Sequence, residues 1–242
     1  MTANGPNSIA IVAALEREIA PLVQGWDRRK LRSGAHVFTA PSMVAAAAGI
    51  GLNATRITAK ALLEEVSPSL FISVGLAGAI SPSLKIGDLV LPEKVINAET
   101  GRTFPVTAIV PALTGTLLSS PTVLSVAQKK AAAARYNTIA VDMEAAAVAE
   151  VAAQAGVPFL AVKAISDEAD FEMLPFDRFV RTDGTLSIAS LLAHATIRPH
   201  WWPRLLRLAR NSRLASNALC ERLRHLIDNR ELAASAIKLN KA

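Results

Sequence analysis

Acidic side chains follow three short apolar runs in this sequence, and carboxylates at such places could do chemistry. Glu16 and Glu18 follow the first run, Asp142 and Glu144 follow a later one, and Asp167 follows the last. Short apolar runs of this kind are typical of buried strands, and in open α/β sheets ligands bind at the carboxyl ends of the strands. Cleavage of a glycosidic bond needs two carboxyl groups, one to protonate the leaving group and one to handle water or the cation-like sugar.

Each carboxylate also has a purely structural interpretation. Glu18 can belong to the first turn of a helix, and the Asp142-Met143-Glu144 segment can cap a helix and interact with its dipole. In the functional interpretation, one carboxylate of that segment holds sugar hydroxyls. Asp167 either caps the segment after the last strand or acts as a general acid. The residues alone leave both interpretations open.

A glycine pair precedes a helical pattern early in the chain. Gly49-Ile50-Gly51 suggests a dinucleotide site, because glycines let the backbone approach a pyrophosphate at a helix N-terminus. Such a site needs an acid about 20 residues further on. The next strand ends in Val74-Gly75-Leu76 without one, which disfavours a nicotinamide cofactor. Two interpretations of Gly49-Ile50-Gly51 therefore remain: a tight turn, or a site for a smaller anionic or ribose group.

Strand and helix patterns alternate along the chain, which favours an α/β fold over separate α and β layers. The patterns predict strands at 8–14, 36–40, 43–48, 70–74, 87–95, 102–110, 138–141 and 157–165. They predict helices from 52 or 53 to about 67, at 123–134, and at 144–155 with Gly156 as its C-terminal cap.

The composition excludes several classes of protein. Of the 242 residues, 51% are hydrophobic and 19% are charged, which excludes disorder as the main state. The single cysteine, Cys220, rules out an internal disulfide, and the four histidines are scattered without a metal-binding spacing. No run is long enough to span a membrane or suited to direct export, so we expect a cytoplasmic protein.

The basic charge is confined to the C-terminal part of the chain. Residues 1–197 contain 16 Lys or Arg against 17 Asp or Glu, whereas residues 198–242 contain 10 against 3. A neutral body disfavours nucleic-acid binding, which needs basic residues across a binding face. We therefore expect a domain at 1–197 and a basic tail at 198–242.

The tail has the pattern of one long amphipathic helix over about 201–230, preceded by Trp201 and Trp202. Leucines form one stripe and arginines the opposite face. Arginines, tryptophans and leucines arranged in this way suit the surface of an anionic membrane. The alternative is that the stripe packs on the body or on a second subunit.

Five segments together resemble the nucleoside phosphorylase and nucleosidase family, and above all the methylthioadenosine/S-adenosylhomocysteine nucleosidases. The resemblance runs from about residue 8 to 185, and the segments occur in the family's order: 11–18, Gly49-Ile50-Gly51, 75–78 with 86–88, 140–147, and 156–170. It implies a three-layer α/β/α sandwich with a central mixed sheet. It also implies cleavage of the N-glycosidic bond of a 5′-substituted adenine nucleoside, in a homo-oligomer such as a dimer, with no metal or organic cofactor.

The resemblance also implies roles for individual residues. Asp167 would protonate or hydrogen-bond N7 of the purine, with Ser166 steadying it. Glu144 would bind the ribose hydroxyls, Met143 would pack on the sugar, and Glu18 would activate the attacking water. The further substrate-binding candidates are Gly49, Gly51, Gly75, Val123 and Leu124.

Two positions depart from the family pattern. Leu76 stands where many members have Ser or Thr near the nucleophile, and Lys163 replaces the usual Arg, keeping the charge but losing the planar fork. The departure at Leu76 concerns the binding of the nucleophile or phosphate.

The tail is similar to that of the hopanoid-associated phosphorylases of the same family, which are thought to remove adenine from adenosylhopane. This second resemblance implies phosphorolysis, with phosphate as cosubstrate, as the alternative to hydrolysis. It also implies a peripheral position on the inner membrane face. A nucleoside-binding regulatory module that kept the fold is the non-enzymatic alternative.

Overall fold

The computed structural model describes residues 8–107, 115–174, 176–181, 184–185 and 187–228. Residues 108–110 of the strand predicted at 102–110, and residues 229–230 of the terminal helix, lie outside the described residues. No helix in the described part of the chain is long and apolar enough to cross a membrane.

The described residues form an eleven-stranded mixed sheet. Its strands are β1 (Ile9–Ala13), β2 (Asp27–Lys30), β3 (His36–Ala40), β4 (Met43–Ala47), β5 (Leu70–Ala79), β6 (Leu89–Val90), β7 (Lys94–Asn97), β8 (Thr103–Pro105), β9 (Thr116–Ser119), β10 (Thr138–Asp142) and β11 (Phe159–Asp167). The helices are α1 (Glu16–Ile19), α2 (Leu52–Val66), α3 (Val126–Tyr136), α4 (Ala145–Ala155), α5 (Ile188–Thr196) and α6 (Trp202–Asp228).

Strand β5 is the centre of the sheet. Its first half lies between β1 and β11, both parallel to it, and its last residues pair with β10, which is antiparallel. The strands run in the order β2-β3-β4-β1-β5-β10-β9-β7-β8, with β11 branching from β5 and β6 pairing with β11. The carboxyl ends of β1, β5 and β11 therefore point in one direction.

The central strands are buried on both faces, as their continuous apolar runs predict. Alternate side chains of β1, such as Val12 and Ile11, enter two different core clusters. Helices α2 and α4 cover one face, and Ile19 of α1 together with α6 covers the other. The three-layer α/β/α sandwich with a mixed sheet is thus confirmed.

The C-terminal helix is part of the second layer. Its buried side chains share a core cluster with residues of β1, β5 and β11: Ala215, Leu219, Cys220, Leu223 and Leu226. The apolar stripe of this half packs on the body of the protein. The half from Trp202 to Leu214 is more exposed.

Several predicted boundaries were wrong. The strand predicted at 70–74 continues through Gly75 and Gly78 to Ala79, and the strand predicted at 87–95 is interrupted near Pro92, giving β6 and β7. Helix α3 begins at Val126 rather than 123, because the Ser125 hydroxyl accepts a hydrogen bond from the backbone N–H of Gln128 and caps the helix there.

Candidate active site

A cavity of about 210 Å³ lies at the carboxyl ends of β1, β5, β10 and β11. Its wall carries four carboxylates and a buried lysine: Glu18, Asp142, Glu144, Asp167 and Lys129. The sequence predicted acids at three different strand ends, and the sheet brings all three of those ends to one cavity.

A second buried lysine, Lys163, stands behind the first three carboxylates. Its ammonium lies 2.9 Å from Asp142 Oδ2 and donates to the carbonyl of Val74 at 3.3 Å. Lys163 is fully buried in β11 and is not among the cavity-lining residues. We call Glu18, Asp142, Glu144 and Lys163 the Lys163 cluster.

Asp142 is the most completely bonded member of this cluster. Besides Lys163, it accepts hydrogen bonds from the Ser119 hydroxyl at 2.5 Å and from the backbone N–H of Ala145 at 2.8 Å. The second bond joins Asp142 to the start of α4. Asp142 therefore fixes the turn between β10 and α4, which carries Glu144.

Glu18 lies in a confined space beside Gly75. A Cβ built on Gly75, whose φ is +141°, would lie 3.0 Å from Glu18 Oε2 and 3.7 Å from Lys163 Nζ. Glycine at this position thus makes room for both charged groups. Burial raises the pKa of Glu18, although the nearby Lys163 ammonium acts in the opposite direction. A carboxylate with a raised pKa is a stronger base.

Glu144 is held by two backbone donors. The N–H of Gly51 donates to Oε1 at 2.9 Å, and that of Met143 donates to Oε2 at 3.2 Å. Burial, and the negative charge of Asp142, raise the pKa of Glu144 to about 7. The Gly49-Ile50-Gly51 turn therefore positions this acid at the start of α2.

Asp167 forms the other polar end of the cavity. Its Oδ1 accepts from the Ser166 hydroxyl at 3.1 Å, and its Oδ2 lies 2.5 Å from the ammonium of Lys129, which is also buried. A Cβ on Gly78 would come within 2.7 Å of the same Oδ2. We call Lys129 and Asp167 the Lys129 pair.

Most of the candidate residues from the sequence line this cavity: Glu18, Val123, Leu124, Met143, Glu144, Ser166 and Asp167. Val123 and Leu124 can face it because α3 begins only after Ser125. Gly49, Gly51 and Gly75 are not among the lining residues. Gly51 and Gly75 instead adjoin the acids, whereas Gly49 bonds to the backbone of Ala14. Leu76, which stands where many members of the family have Ser or Thr, also lines the wall.

Sequence reasoning missed Lys129, Arg17 and the contribution of α6. Lys129 and the buried Ala132 share the inner face of α3, so a lysine at the spacing of buried alanines was the available signal. Leu208 and Ser212 of α6 line the cavity. This helix also bonds to the segment that carries Glu18, since the Cys220 thiol donates to the Glu18 carbonyl at 3.3 Å.

Comparison with known proteins places the chain in a family. Residues 8–123 and 110–196 match the sequence profile of the Phosphorylase superfamily. The chain therefore belongs to this superfamily of nucleoside phosphorylases and nucleosidases. It is an enzyme that acts on nucleosides.

Solved structures of low identity share the fold. The 5′-methylthioadenosine/S-adenosyl homocysteine nucleosidase of Helicobacter pylori is 18% identical, with a TM-score of 0.71 over 93% of this chain and 99% of that one. The futalosine hydrolase of the same organism has the same identity and TM-score, over 93% and 98%. The S-adenosylhomocysteine nucleosidase of Streptococcus pyogenes is 22% identical, with a TM-score of 0.63 over 72% and 90%.

Proposed function

We propose that this enzyme hydrolyses the N-glycosidic bond of an adenine nucleoside that carries a 5′ substituent, and so releases adenine. The observation that carries the proposal is the single cavity lined by Glu18, Glu144 and Asp167. These groups supply what the reaction needs, namely a base for water, an acceptor for sugar hydroxyls, and a polar contact for the departing purine.

In this proposal, the Glu144 carboxylate accepts hydrogen bonds from the ribose hydroxyls, and Met143 packs on the sugar. Glu18 removes a proton from the attacking water. Asp167, steadied by Ser166, hydrogen-bonds the purine. The two polar ends of the cavity thus act on the two sides of the bond that breaks.

The charge of the Lys163 cluster favours water over phosphate as the nucleophile. The cluster has three carboxylates against one ammonium, and Asp142 alone already balances Lys163, so the cluster offers no excess positive charge to hold a phosphate dianion. Leu76 adds no hydroxyl donor for an anion. Phosphorolysis is the second candidate, because the cavity wall also includes the exposed Arg17, which could contact a phosphate.

The space beside α6 suits the 5′ substituent. A second cavity of about 580 Å³ shares Arg17, Leu208 and Ser212 with the first, and further apolar side chains such as Leu191 and Leu205 line it. Small thioether groups and larger apolar groups, including the one in adenosylhopane, are therefore the substituents to test.

The first test measures adenine release by the purified protein. The substrates are methylthioadenosine, S-adenosylhomocysteine and a lipid-linked adenosine, each with and without phosphate. Hydrolysis predicts release of the base in the absence of phosphate. An absolute requirement for phosphate would establish the second candidate instead.

The exposed half of α6 supports a position on an anionic membrane surface. Leu206 is 65% exposed, Leu214 50% and Trp202 39%, and the exposed arginines of this half are Arg204, Arg207, Arg210 and Arg213. Arginines beside exposed apolar side chains suit an interface with anionic lipids.

This surface is tested with substitutions rather than truncation, because removing α6 would also remove buried core residues such as Leu219. The wild type should co-sediment with vesicles that contain an anionic phospholipid. The double variant Trp202→Ser, Leu206→Glu should not, whereas Ile57→Glu, at a position 51% exposed on α2, should bind as the wild type does. Equal binding by all three proteins would remove the membrane proposal.

A further inference from the structure

The second cavity continues the catalytic cavity along α6. Arg17, Leu208 and Ser212 line both of them, so the two spaces meet at these three side chains. A group attached to a substrate in the catalytic cavity can therefore extend into the second one. In the proposed function this group is the 5′ substituent, and the side chains of the second cavity then decide which substituents bind.

Two arginines give the second cavity a positive charge. Arg17 comes from α1 and Arg213 from α6, and none of the described residues that line the cavity is acidic. Neither arginine forms an ion pair within the described part of the chain, and Glu16, which precedes Arg17, pairs with Arg28 instead. The two guanidinium groups are thus available to an anion.

Uncharged donors stand beside these arginines. Ser216 is only 7% exposed and lines the cavity, yet its hydroxyl has no hydrogen-bond partner among the residues that the structure describes. The side chains of Ser212 and Asn217 also line the cavity. A buried hydroxyl is costly when it has no partner, and an acceptor on a ligand would satisfy it. Hydroxyl and guanidinium donors around one space suit a carboxylate or a phosphate.

The two walls of the second cavity are fixed to each other. The thiol of Cys220 in α6 donates to the carbonyl of Glu18 in α1, and the guanidinium of Arg224 donates to the carbonyl of Pro21. Arg17 and Arg213 therefore lie on two elements that are already joined. A ligand that binds between them does not have to order the walls first, which favours affinity.

We propose that the 5′ substituent of the substrate ends in an anionic group, a carboxylate or a phosphate, which Arg17 and Arg213 hold in the second cavity. Leu205 and Leu208 contact the apolar chain that joins this group to the sugar. This assignment rests on the proposed function. Free inorganic phosphate is the other source of an anion for Arg17, and the experiment below separates the two sources.

The test uses 5′-thioether adenosines whose alkyl chain ends in a carboxylate, a carboxamide or an ammonium group. The carboxamide has the size and shape of the carboxylate without its charge. Chains of increasing length are compared in phosphate-free buffer, and again with phosphate added. The measured quantity is the ratio of kcat/KM for carboxylate and carboxamide, because general effects on catalysis, such as those of Arg17 on the adjoining Glu18, cancel in it.

The wild type should prefer the carboxylate over the carboxamide by about tenfold at the best chain length. It should cleave the ammonium compound most slowly. Arg213→Gln should bring the ratio close to one, and Arg213→Glu should reverse the order, so that the ammonium compound becomes the best of the three. The control is Arg204→Gln, at an exposed position of α6 that lines neither cavity, and it should keep the wild-type ratio.

Three results would overturn the proposal. The first is a ratio of one at every chain length in the wild type. The second is an unchanged order of the three compounds in Arg213→Glu. The third is release that depends on added phosphate and falls equally for all three compounds in Arg213→Gln, since the arginines would then bind the free anion. If methylthioadenosine is cleaved, any of these results removes this assignment alone. If neither it nor the three compounds is cleaved, the proposed function itself fails.

Discussion

Two buried lysine–carboxylate pairs lie at opposite ends of one cavity, and they differ in access to it. Lys163 is fully buried behind the wall, bonded to Asp142 and to a backbone carbonyl. Lys129 lies on the wall itself. Two pairs of the same chemical type therefore take different roles. The inaccessible pair fixes the turn that carries Glu144, and the accessible pair lies where a bound ligand can contact it.

The two ends also differ in net charge. The Lys163 cluster holds three carboxylates against one ammonium. Burial, and then the negative charges of Asp142 and Glu18, raise the pKa of Glu144, whereas the Lys163 ammonium acts in the opposite direction. The Lys129 pair is balanced, one charge against one. An excess of carboxylates supplies bases for water and acceptors for hydroxyls, whereas a balanced pair suits a purine. Substitutions in the Lys163 cluster and in the Lys129 pair test whether the two ends of the cavity have these different roles.

The largest effect is expected from Asp167→Asn in the Lys129 pair. Without the carboxylate, Lys129 loses its anionic partner and the purine loses its polar contact. Adenine release should fall by about 10³- to 10⁴-fold in a steady-state assay. Asp170→Asn, at an exposed position in the same segment, is the control and should be as active as the wild type. Full activity in Asp167→Asn would show that the Lys129 pair has no role in the release of the purine.

Glu18→Gln tests the basic role of the Lys163 cluster. An amide cannot accept the proton of water, so adenine release should fall by about 10²- to 10³-fold while the protein stays folded. Glu16→Gln serves as the control, because Glu16 lies on the same helix and pairs with Arg28 near the surface. If Glu18→Gln still hydrolyses the substrate at the normal rate, water is activated elsewhere.

Lys163→Met should destabilise the protein more than Lys129→Met does. It leaves Asp142 buried without its cation, which is expected to lower the free energy of unfolding by about 3–5 kcal/mol. Lys129→Met should cost less, because water in the cavity can solvate Asp167. Urea unfolding of both variants gives the two values. A larger loss for Lys129→Met would contradict the assignment of Lys163 as the structural lysine.

The smallest effect is a pH dependence. Glu144 has a raised pKa of about 7, so below that pH it is mostly protonated and accepts ribose hydroxyls poorly. We expect kcat/KM to rise by about tenfold between pH 6 and pH 8 and then level off, since this quantity reports ionisations of the free enzyme. In Glu144→Gln the inflection near 7 should disappear. If it persists, another group, such as Glu18, is responsible.

The sequence was enough to predict the layers of the fold but not all its details. Buried strands and the Gly156 cap were visible because they leave strong local patterns. Strand β2 was missed because its sequence, Asp27–Lys30, is charged and exposed throughout. Strand β5 was predicted to end at Val74, because the glycine that follows suggests a turn. Here glycines instead allow Glu18 and Asp167 to approach the strand.

The candidate site was predictable where residue type alone implies chemistry. Acids at strand ends led to Glu18, Glu144 and Asp167. Lys129 was missed because a Lys-Lys pair in an alanine-rich helix is usually solvated, and only the packing of α3 turns one of the two inward. Long-range packing also decides that Leu208 and Ser212 of the tail reach the cavity.

Hydrolysis of the bond between sugar and adenine is tested by analysis of the products. The purified enzyme is incubated with methylthioadenosine in phosphate-free buffer, and the products are separated by chromatography. Hydrolysis predicts adenine and the free 5-methylthio sugar in equal amounts. Substrate that stays intact until phosphate is added, and then yields a sugar 1-phosphate, would contradict it.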